Sequence, residues 1–177
     1  MNIGIDIDNT ITDTSILANR LANNIKMCKT YHDLDKNDIK KFLTEYLDDI
    51  VYNVTLKDDV LTVLNKWQSK GYKIIFITAR GSDNVDKLVN EKAIYLTSMY
   101  FKKLNIPFDE IVFFKSSKAK TVKDYNLDLF IDDKENVLHE IANLGIKVLR
   151  FTDLESKYET VNSWHEIDMK VMQMGEL

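Results

Sequence analysis

The sequence predicts a doubly wound α/β fold, in which helices flank a parallel five-stranded sheet and a small helical cap is inserted after the first strand. Three observations lead to this prediction. Short apolar runs rich in β-branched and aromatic residues recur along the 177-residue chain. Segments with helical periodicity separate these runs. The stretch between the first two runs is also far longer than a single crossover helix needs.

The apolar runs are predicted to be strands because most of them are nearly continuous in hydrophobicity. This pattern is typical of parallel strands that helices cover on both faces. In chain order the predicted strands are Ile3 to Ile7, Lys73 to Ile77, Ile111 to Phe114, Leu127 to Ile131, and Lys147 to Leu149.

Apolar residues at helical spacing precede the second, third and fifth strands and predict a helix in each place. They are Val60, Leu61, Leu64 and Trp67, then Val85, Leu88, Leu96 and Met99, then Val137, Leu138, Ile141 and Leu144. Gly71 and Gly145 each follow a helical run and precede a strand, where a C-terminal cap glycine is expected. The alternation of strand and helix predicts right-handed crossovers.

The segment from Thr12 to Leu56 is predicted to hold extra helices. Leu17, Leu21 and Ile25 lie at helical spacing, as do Ile39, Leu43, Tyr46 and Leu47. We therefore expect an α/β core from residues 1–12 and 72–177, and a helical cap from residues 13–71 whose last helix joins the core. Such a cap either acts as a lid or only completes the core, and the sequence leaves both open.

The composition indicates a small globular protein. With 45% hydrophobic residues, 29% charged residues and a formal net charge of -4, the chain has no basic stripe for extended nucleic-acid binding. One cysteine, Cys28, excludes an intrachain disulfide framework. The N-terminal segment carries acids where a secretory signal needs an apolar run, and no run approaches a membrane span. We therefore expect a cytoplasmic protein that does not bind membranes.

Asp6 and Asp8 lie at the carboxyl end of the first predicted strand, where ligands bind in open α/β sheets. Residues two apart in an extended strand point the same way, so the two carboxylates can approach one point. One can then attack phosphorus while the other serves as general acid and base. Asn9 and Thr10 begin a turn whose backbone N–H groups suit an anion.

Thr78, Ala79 and Arg80 end the second predicted strand. The hydroxyl of Thr78 and the backbone N–H groups that follow it can bind phosphoryl oxygens, as oriented amides in turns do. Arg80 is expected either to bind a substrate oxygen or to pair with a surface carboxylate.

Lys118 opens a helix after the third predicted strand, next to Lys115 and Lys120. A cation is disfavoured at the positive end of a helix dipole, which suggests that the lysine faces an anion. We choose Lys118 as the residue that meets the phosphoryl group, although the sequence leaves Lys115 and Lys120 open.

Asp132 and Asp133 end the fourth predicted strand. Adjacent acids after an apolar strand are costly unless a cation compensates them. Oxygen ligands from Asp6, the backbone carbonyl of Asp8 and Asp132 suit the octahedral geometry of Mg²⁺, with Asp133 acting through water or by positioning the others.

Together these residues resemble the four motifs of the haloacid dehalogenase superfamily, namely Asp6-x-Asp8-x-Thr10, Thr78, Lys118 and Asp132-Asp133. The resemblance implies a Rossmann-like core and a phosphatase in which Asp6 forms an aspartyl-phosphate and Asp8 is the acid and base. It also implies that Thr78 and Lys118 stabilise the phosphoryl group and that Asp132 with Asp133 holds Mg²⁺. An acid at the position of Asp8 is typical of phosphatases and phosphotransferases in that superfamily.

A narrower resemblance is to the deoxyribonucleotidase-like branch, through Phe76 to Arg80, Leu104 to Asp109, and Leu129 to Asp133. It implies hydrolysis of a small phosphate monoester such as a nucleotide. Tyr31, His32 and Phe42 are candidates to bind a base, and core packing or exposure is the alternative for each.

Two other functions fit the same residue types less well. A receiver-like phosphoacceptor domain also combines acids, a threonine and a lysine, but it normally carries its acid pair earlier in the chain than the phosphorylated aspartate. A non-catalytic binding module of the same fold is expected to lack a motif residue, and none is missing here.

Overall fold

The computed structural model describes residues 1–82, 86–115 and 117–175, and the predicted helical position Val85 lies outside them. The strands are β1 (Asn2–Ile5), β2 (Lys73–Thr78), β3 (Glu110–Phe113), β4 (Leu129–Asp132), β5 (Lys147–Phe151) and β6 (Thr160–Val161). The helices are α1 (Thr14–Ala22), α2 (Lys36–Val51), α3 (Val60–Ser69), α4 (Lys87–Leu104), α5 (Lys118–Val122), α6 (Glu135–Ala142) and α7 (Trp164–Gly175). Short 3-10 helices lie at Tyr31–Asp33 and Lys123–Tyr125.

The strands form one parallel sheet in the order β3-β2-β1-β4-β5-β6. The predicted class is confirmed, and the described residues form six strands where five were expected. The sixth, β6, pairs Thr160 with Arg150 and Val161 with Phe151. Two residues are too few to form a recognisable apolar run, which is why the sequence pattern did not reveal this strand.

The strand order reverses beside β1, because the chain adds β2 and β3 on one side of it and β4 to β6 on the other. Ile5 pairs with Phe76 of β2 and with Ile131 of β4. Residues that follow β1 therefore lie between the carboxyl ends of two neighbouring strands. Such a switch point is where open α/β sheets bind ligands.

The crossover helix α3 packs on the sheet as its apolar spacing predicts, whereas Leu88 of α4 is 74% exposed and Leu144 is 36% exposed and lies beyond the end of α6. α3 buries Val60, Leu64 and Trp67 in the core that β1 shares. The two predicted cap glycines have left-handed backbones, with φ of 75° at Gly71 and 82° at Gly145. A residue with a side chain is strained at such a φ, so glycine ends these helices at little cost.

The first two helices after β1 belong to a different core from α3. Ala18 and Ala22 of α1, with Phe42 and Leu47 of α2, pack against α4 in a separate apolar cluster. We call α1, the 3-10 helix at Tyr31–Asp33 and α2 the helical unit. Its first helix ends at Ala22, so the predicted helical position Ile25 lies in the following turn.

The C-terminal helix α7 packs against α3 through two tryptophans. The rings of Trp67 and Trp164 have centroids 5.8 Å apart, and Trp164 is 1% exposed. Its indole N–H donates to the carbonyl of Thr10 at 3.0 Å, which ties α7 to the loop after β1. No helix in the described ranges is long and apolar enough to cross a membrane.

Candidate active site

Acidic, hydroxyl and cationic side chains meet at the carboxyl edge of the three central strands. Asp6 follows β1, Thr78 ends β2, Asp132 ends β4, and Lys118 opens α5. All four are buried, with exposed fractions of 7% or less. The fold therefore brings the four predicted motifs to one place, although they span more than 120 positions of sequence.

Lys118 bridges the two buried carboxylates. Its Nζ lies 2.5 Å from Oδ1 of Asp6 and 2.6 Å from Oδ2 of Asp132. Burial lowers the pKa of this ammonium, but the two carboxylates outweigh burial and hold the pKa above its ordinary value. Lys115 and Lys120 are exposed, so Lys118 is the lysine that the fold directs to the acids.

Three carboxylates converge beside Lys118. Asp6, Asp132 and Asp133 each offer one oxygen, and these oxygens lie within 4.8 Å of one another. Burial, opposed by Lys118, raises the pKa of Asp6, and burial with the charge of Asp6 raises the pKa of Asp133 to about 6. Repulsion among the carboxylates adds to the effect of burial, and a bound cation would offset that repulsion.

Asp133 has one oxygen without a partner. Its Oδ2 accepts a hydrogen bond of 3.2 Å from Nδ2 of Asn9. Its Oδ1 is buried and has no hydrogen-bond partner in the part of the chain that the structure describes. A buried carboxylate oxygen left unpaired is unfavourable unless a ligand completes it. The donor set is all oxygen, which is what Mg²⁺ prefers, so these residues fit that ion.

Asp8 faces away from this cluster. Its Oδ1 lies 2.6 Å from Nη2 of Arg80 and accepts a hydrogen bond of 2.7 Å from the hydroxyl of Thr14. Burial acts to raise the pKa of Asp8, but the charge and hydrogen bonds of Arg80 outweigh burial and lower it. The Asp8 carboxylate is not part of the described oxygen cluster. The sequence left open whether Arg80 binds a substrate oxygen or pairs with a surface carboxylate. In the structure its partner is the carboxylate of Asp8.

The turn after β2 is compact. The backbone N–H of Arg80 donates to the hydroxyl oxygen of Thr78 at 3.2 Å, and the N–H of Ser82 donates to the carbonyl of Ala79 at 3.0 Å. Gly81 has a φ of 76°, and a Cβ there would lie 2.6 Å from the side chain of Ile94. The turn therefore ties the hydroxyl of Thr78 to the backbone of Arg80, whose guanidinium meets Asp8.

A pocket of about 240 Å³ opens next to Asp8 and Arg80. Its apolar wall comes from the helical unit and α4, through Ala18, Leu43, Leu47, Ile50, Val51 and Ala93. Polar and charged residues also line it, among them Asn9, Asn90 and Lys134. The pocket therefore adds an apolar surface to the charged pair of Asp8 and Arg80.

Tyr31 is the aromatic residue among those lining this pocket. Burial and the charges of Asp8 and Asp133 raise the pKa of its hydroxyl to about 12, and Tyr31 lines the same pocket as Asp8. Of the other two candidates for binding a base, Phe42 is completely buried in the helical unit and His32 is exposed. Neither lines the pocket.

Sequence reasoning did not identify three contacts of this site. They are the pairing of Arg80 with Asp8, the bond from Thr14 to Asp8, and the bond from Asn9 to Asp133. Asn9 alone carried a local signal, because asparagine after an acid pair at a strand end is a residue type that tolerates a left-handed backbone. The other two depend on how distant segments meet.

Several known proteins are similar to this chain in sequence, among them a putative nucleotidase of Bacillus subtilis that is 26% identical over 185 residues, which cover 94% of this chain and 91% of that protein. A nucleotidase of Clostridium acetobutylicum is 31% identical over 161 residues, which cover 84% of this chain and 79% of that protein. No family model matches the chain.

Solved structures resemble the fold. A haloacid dehalogenase-like hydrolase of Streptococcus pneumoniae matches with a TM-score of 0.68 at 15% identity, covering 98% of this chain and 97% of that one. D,D-heptose 1,7-bisphosphate phosphatase of B. bronchiseptica, solved with magnesium and phosphate, matches with a TM-score of 0.56 at 9% identity and covers 98% of both chains. At these identities the likeness concerns the fold alone.

Proposed function

The chain belongs to the haloacid dehalogenase superfamily of phosphatases, in a family with the clostridial nucleotidase, and from this premise we propose that it is a Mg²⁺-dependent phosphatase of small phosphate monoesters. The observation that carries the proposal is the buried group in which Lys118 bridges Asp6 and Asp132. Two buried carboxylates and a lysine at a switch point suit a phosphoryl group, which needs a nucleophile and a cation together.

Asp6, Asp132 and Asp133 are the side chains proposed to hold Mg²⁺, with the backbone carbonyl of Asp8 as a further ligand. The unpartnered Oδ1 of Asp133 supports this assignment. When bound, the ion offsets the repulsion between the phosphoryl oxygens and these carboxylates. Lys118 compensates the same charge through its hydrogen bonds to Asp6 and Asp132.

Asp6 is proposed as the nucleophile. Its carboxylate oxygen forms a bond to phosphorus as the bond from phosphorus to the leaving oxygen breaks, and Asp8 gives a proton to that oxygen. Water then forms a bond to phosphorus and gives its proton to Asp8, and the bond from phosphorus to Asp6 breaks. The products are the alcohol and inorganic phosphate, and both aspartates return to their starting state.

Thr78, the backbone N–H of Ala79 and Lys118 are proposed to bind the phosphoryl oxygens. Oriented donors in a buried turn stabilise developing charge at little reorganisation cost. Arg80 is proposed to bind substrate as well, because its guanidinium lines the pocket next to Asp8. A substrate oxygen that accepts a hydrogen bond from Arg80 would compete with Asp8 for that N–H donor. The interaction of Arg80 with Asp8 would then weaken.

The proposed leaving group is a nucleoside. Two observations favour it, namely the relationship to a nucleotidase and the apolar wall of a pocket that Tyr31 also lines. A flat aromatic base has the shape and polarity for such a wall, whereas a bare sugar needs many hydrogen-bond partners. The helical unit supplies much of this wall, so we propose that residues 13–71 form a cap over the core of residues 1–12 and 72–177, with α3 joining that core.

The test is turnover of purified protein on a panel of nucleoside monophosphates and simple sugar phosphates, with Mg²⁺ and with a chelator. We expect multiple turnover on nucleoside monophosphates that the chelator abolishes. Asp6→Asn is expected to abolish turnover, and Asp153→Asn, at an exposed acid, is the matched control. Normal turnover in Asp6→Asn, or turnover that survives the chelator, would overturn the proposal. Single-turnover labelling without release would favour a phosphoacceptor domain instead.

A further inference from the structure

Asn9 has a strained backbone and an amide that joins two parts of the site. Its φ is 64°, in the left-handed region that residues other than asparagine and glycine seldom adopt. The amide lies between the first helix and the acidic cluster, and it makes one hydrogen bond to each.

The orientation of this amide follows from its partner in α1. The backbone N–H of Ser15 donates to Oδ1 of Asn9 at 2.8 Å. The side chain of Asp13, which precedes α1, makes no capping bond, so Asn9 satisfies an N–H that the helix itself leaves free. A backbone N–H can only donate, so the carbonyl oxygen of Asn9 must face α1 and its NH₂ group must face the other way.

The NH₂ group then meets Asp133. Nδ2 of Asn9 lies 3.2 Å from Oδ2 of Asp133, and the neighbouring Oδ1 is the buried oxygen without a partner among the described residues. The asparagine thus occupies one oxygen of the carboxylate, restrains its orientation and leaves the second, buried oxygen available to a ligand. Partners of this kind orient ligands at metal sites.

We propose that Asn9 is a positioning residue for the magnesium site, which holds Asp133 so that Oδ1 is available to the ion. Asn9 acts through Asp133 and makes no contact with the ion or the substrate in this role. The inference rests on the proposed function, since it needs Asp133 to be a ligand. It adds that the start of α1, through Ser15, sets the geometry of that ligand.

Asn9→Gly tests the inference, because glycine adopts the left-handed backbone without strain and removes only the amide. Isothermal titration with Mg²⁺ alone measures the affinity without turnover. We expect the dissociation constant of Asn9→Gly to rise by about 10- to 100-fold over that of the unmodified protein. The thermal midpoint without metal checks that the variant is folded. Asn105→Gly is the matched control, since Asn105 has a φ of 50° at the end of α4, and it should leave the affinity unchanged.

Asp133→Asn tests whether the effect of Asn9 on Mg²⁺ affinity passes through Asp133. If Asn9 acts through Asp133, adding Asn9→Gly to Asp133→Asn should weaken binding by little more than Asp133→Asn does alone. If the double variant instead lost the full affinity change of Asn9→Gly in addition to that of Asp133→Asn, Asn9 would act elsewhere. That result would overturn the inference. Equal affinity in Asn9→Gly and the unmodified protein would overturn it as well, while the proposed function would stand. Failure of the unmodified protein to bind Mg²⁺ would instead overturn the metal site itself, and the role of Asn9 with it.

Discussion

The guanidinium of Arg80 lies against the carboxylate of Asp8, with Nη2 2.6 Å from Oδ1 and Nε within 3.2 Å of both oxygens. Arg80 therefore offsets the negative charge of Asp8, while Lys118 offsets the charges of Asp6 and Asp132. The two aspartates after β1 therefore have different electrostatic environments. Burial raises the pKa of Asp6, whereas Arg80 outweighs burial at Asp8 and lowers the pKa of Asp8, so the proposed proton transfer by Asp8 requires that substrate draw Arg80 away from it.

Arg80→Ala should lower kcat/KM by about 10- to 100-fold, because a charge-assisted hydrogen bond contributes roughly 1.5–3 kcal/mol. Arg80→Lys keeps the charge but not the planar fork, so an intermediate loss is expected. Steady-state kinetics on the best substrate of the panel measures both variants, with the thermal midpoint as the check on folding. An unchanged kcat/KM in Arg80→Ala would exclude Arg80 from substrate binding.

Lys118→Met should destabilise the protein without metal by about 3–5 kcal/mol, since it leaves two buried carboxylates without their cation. Urea unfolding with a chelator present measures the free energy of unfolding. Lys120→Met is the matched control, because Lys120 is exposed and should change stability by no more than about 0.5 kcal/mol. Equal stability of the two variants would contradict the bridging role of Lys118.

Thr78→Val should lower kcat by about 100- to 1,000-fold, because valine keeps the shape but has no hydroxyl for the phosphoryl group or for the N–H of Arg80. Thr78→Ser keeps the hydroxyl and should remain within a few-fold of the unmodified protein by the same argument. Kinetics and thermal unfolding are measured together. If Thr78→Val lost stability but kept kcat, the hydroxyl would be only a structural group.

Tyr31→Ala should raise KM for nucleoside monophosphates by about 10-fold, since contact between a base and an aromatic side chain contributes roughly 1–3 kcal/mol. KM for a small phosphate ester without a base should not change. His32→Ala is the matched control, because His32 is the exposed neighbour that does not line the pocket. An equal rise in KM for both kinds of substrate would mean that Tyr31 does not recognise the base.

The sequence predicted those parts of the molecule that depend on local pattern. The apolar runs of β1, β2 and β4 identify buried parallel strands, and the polar residues directly after them must then lie at one edge of the sheet. Asp6, Thr78 and Asp132 are brought together for this reason. The choice of Lys118 depended on helix electrostatics, and burial separates it from Lys115 and Lys120.

The remaining features depend on contacts between distant segments. Nothing near Arg80 indicates that it turns toward Asp8, which is 72 positions away in the chain. The bond from Asn9 to Asp133 joins residues 124 positions apart. The helical unit was expected from its periodicity, but which aromatic residue reaches the pocket depends on how α1 and α2 pack. Tyr31 lines the pocket and Phe42 is enclosed in the helical unit.

The central claim is that Asp6 receives the phosphoryl group, and chemical trapping tests it most directly. Borohydride added during turnover reduces an aspartyl-phosphate to homoserine, and peptide mass spectrometry locates the change. We expect homoserine at position 6 only when both substrate and Mg²⁺ are present, and at none of Asp8, Asp132 or Asp133. Rapid turnover with no modification at Asp6, or modification at another aspartate, would contradict the account.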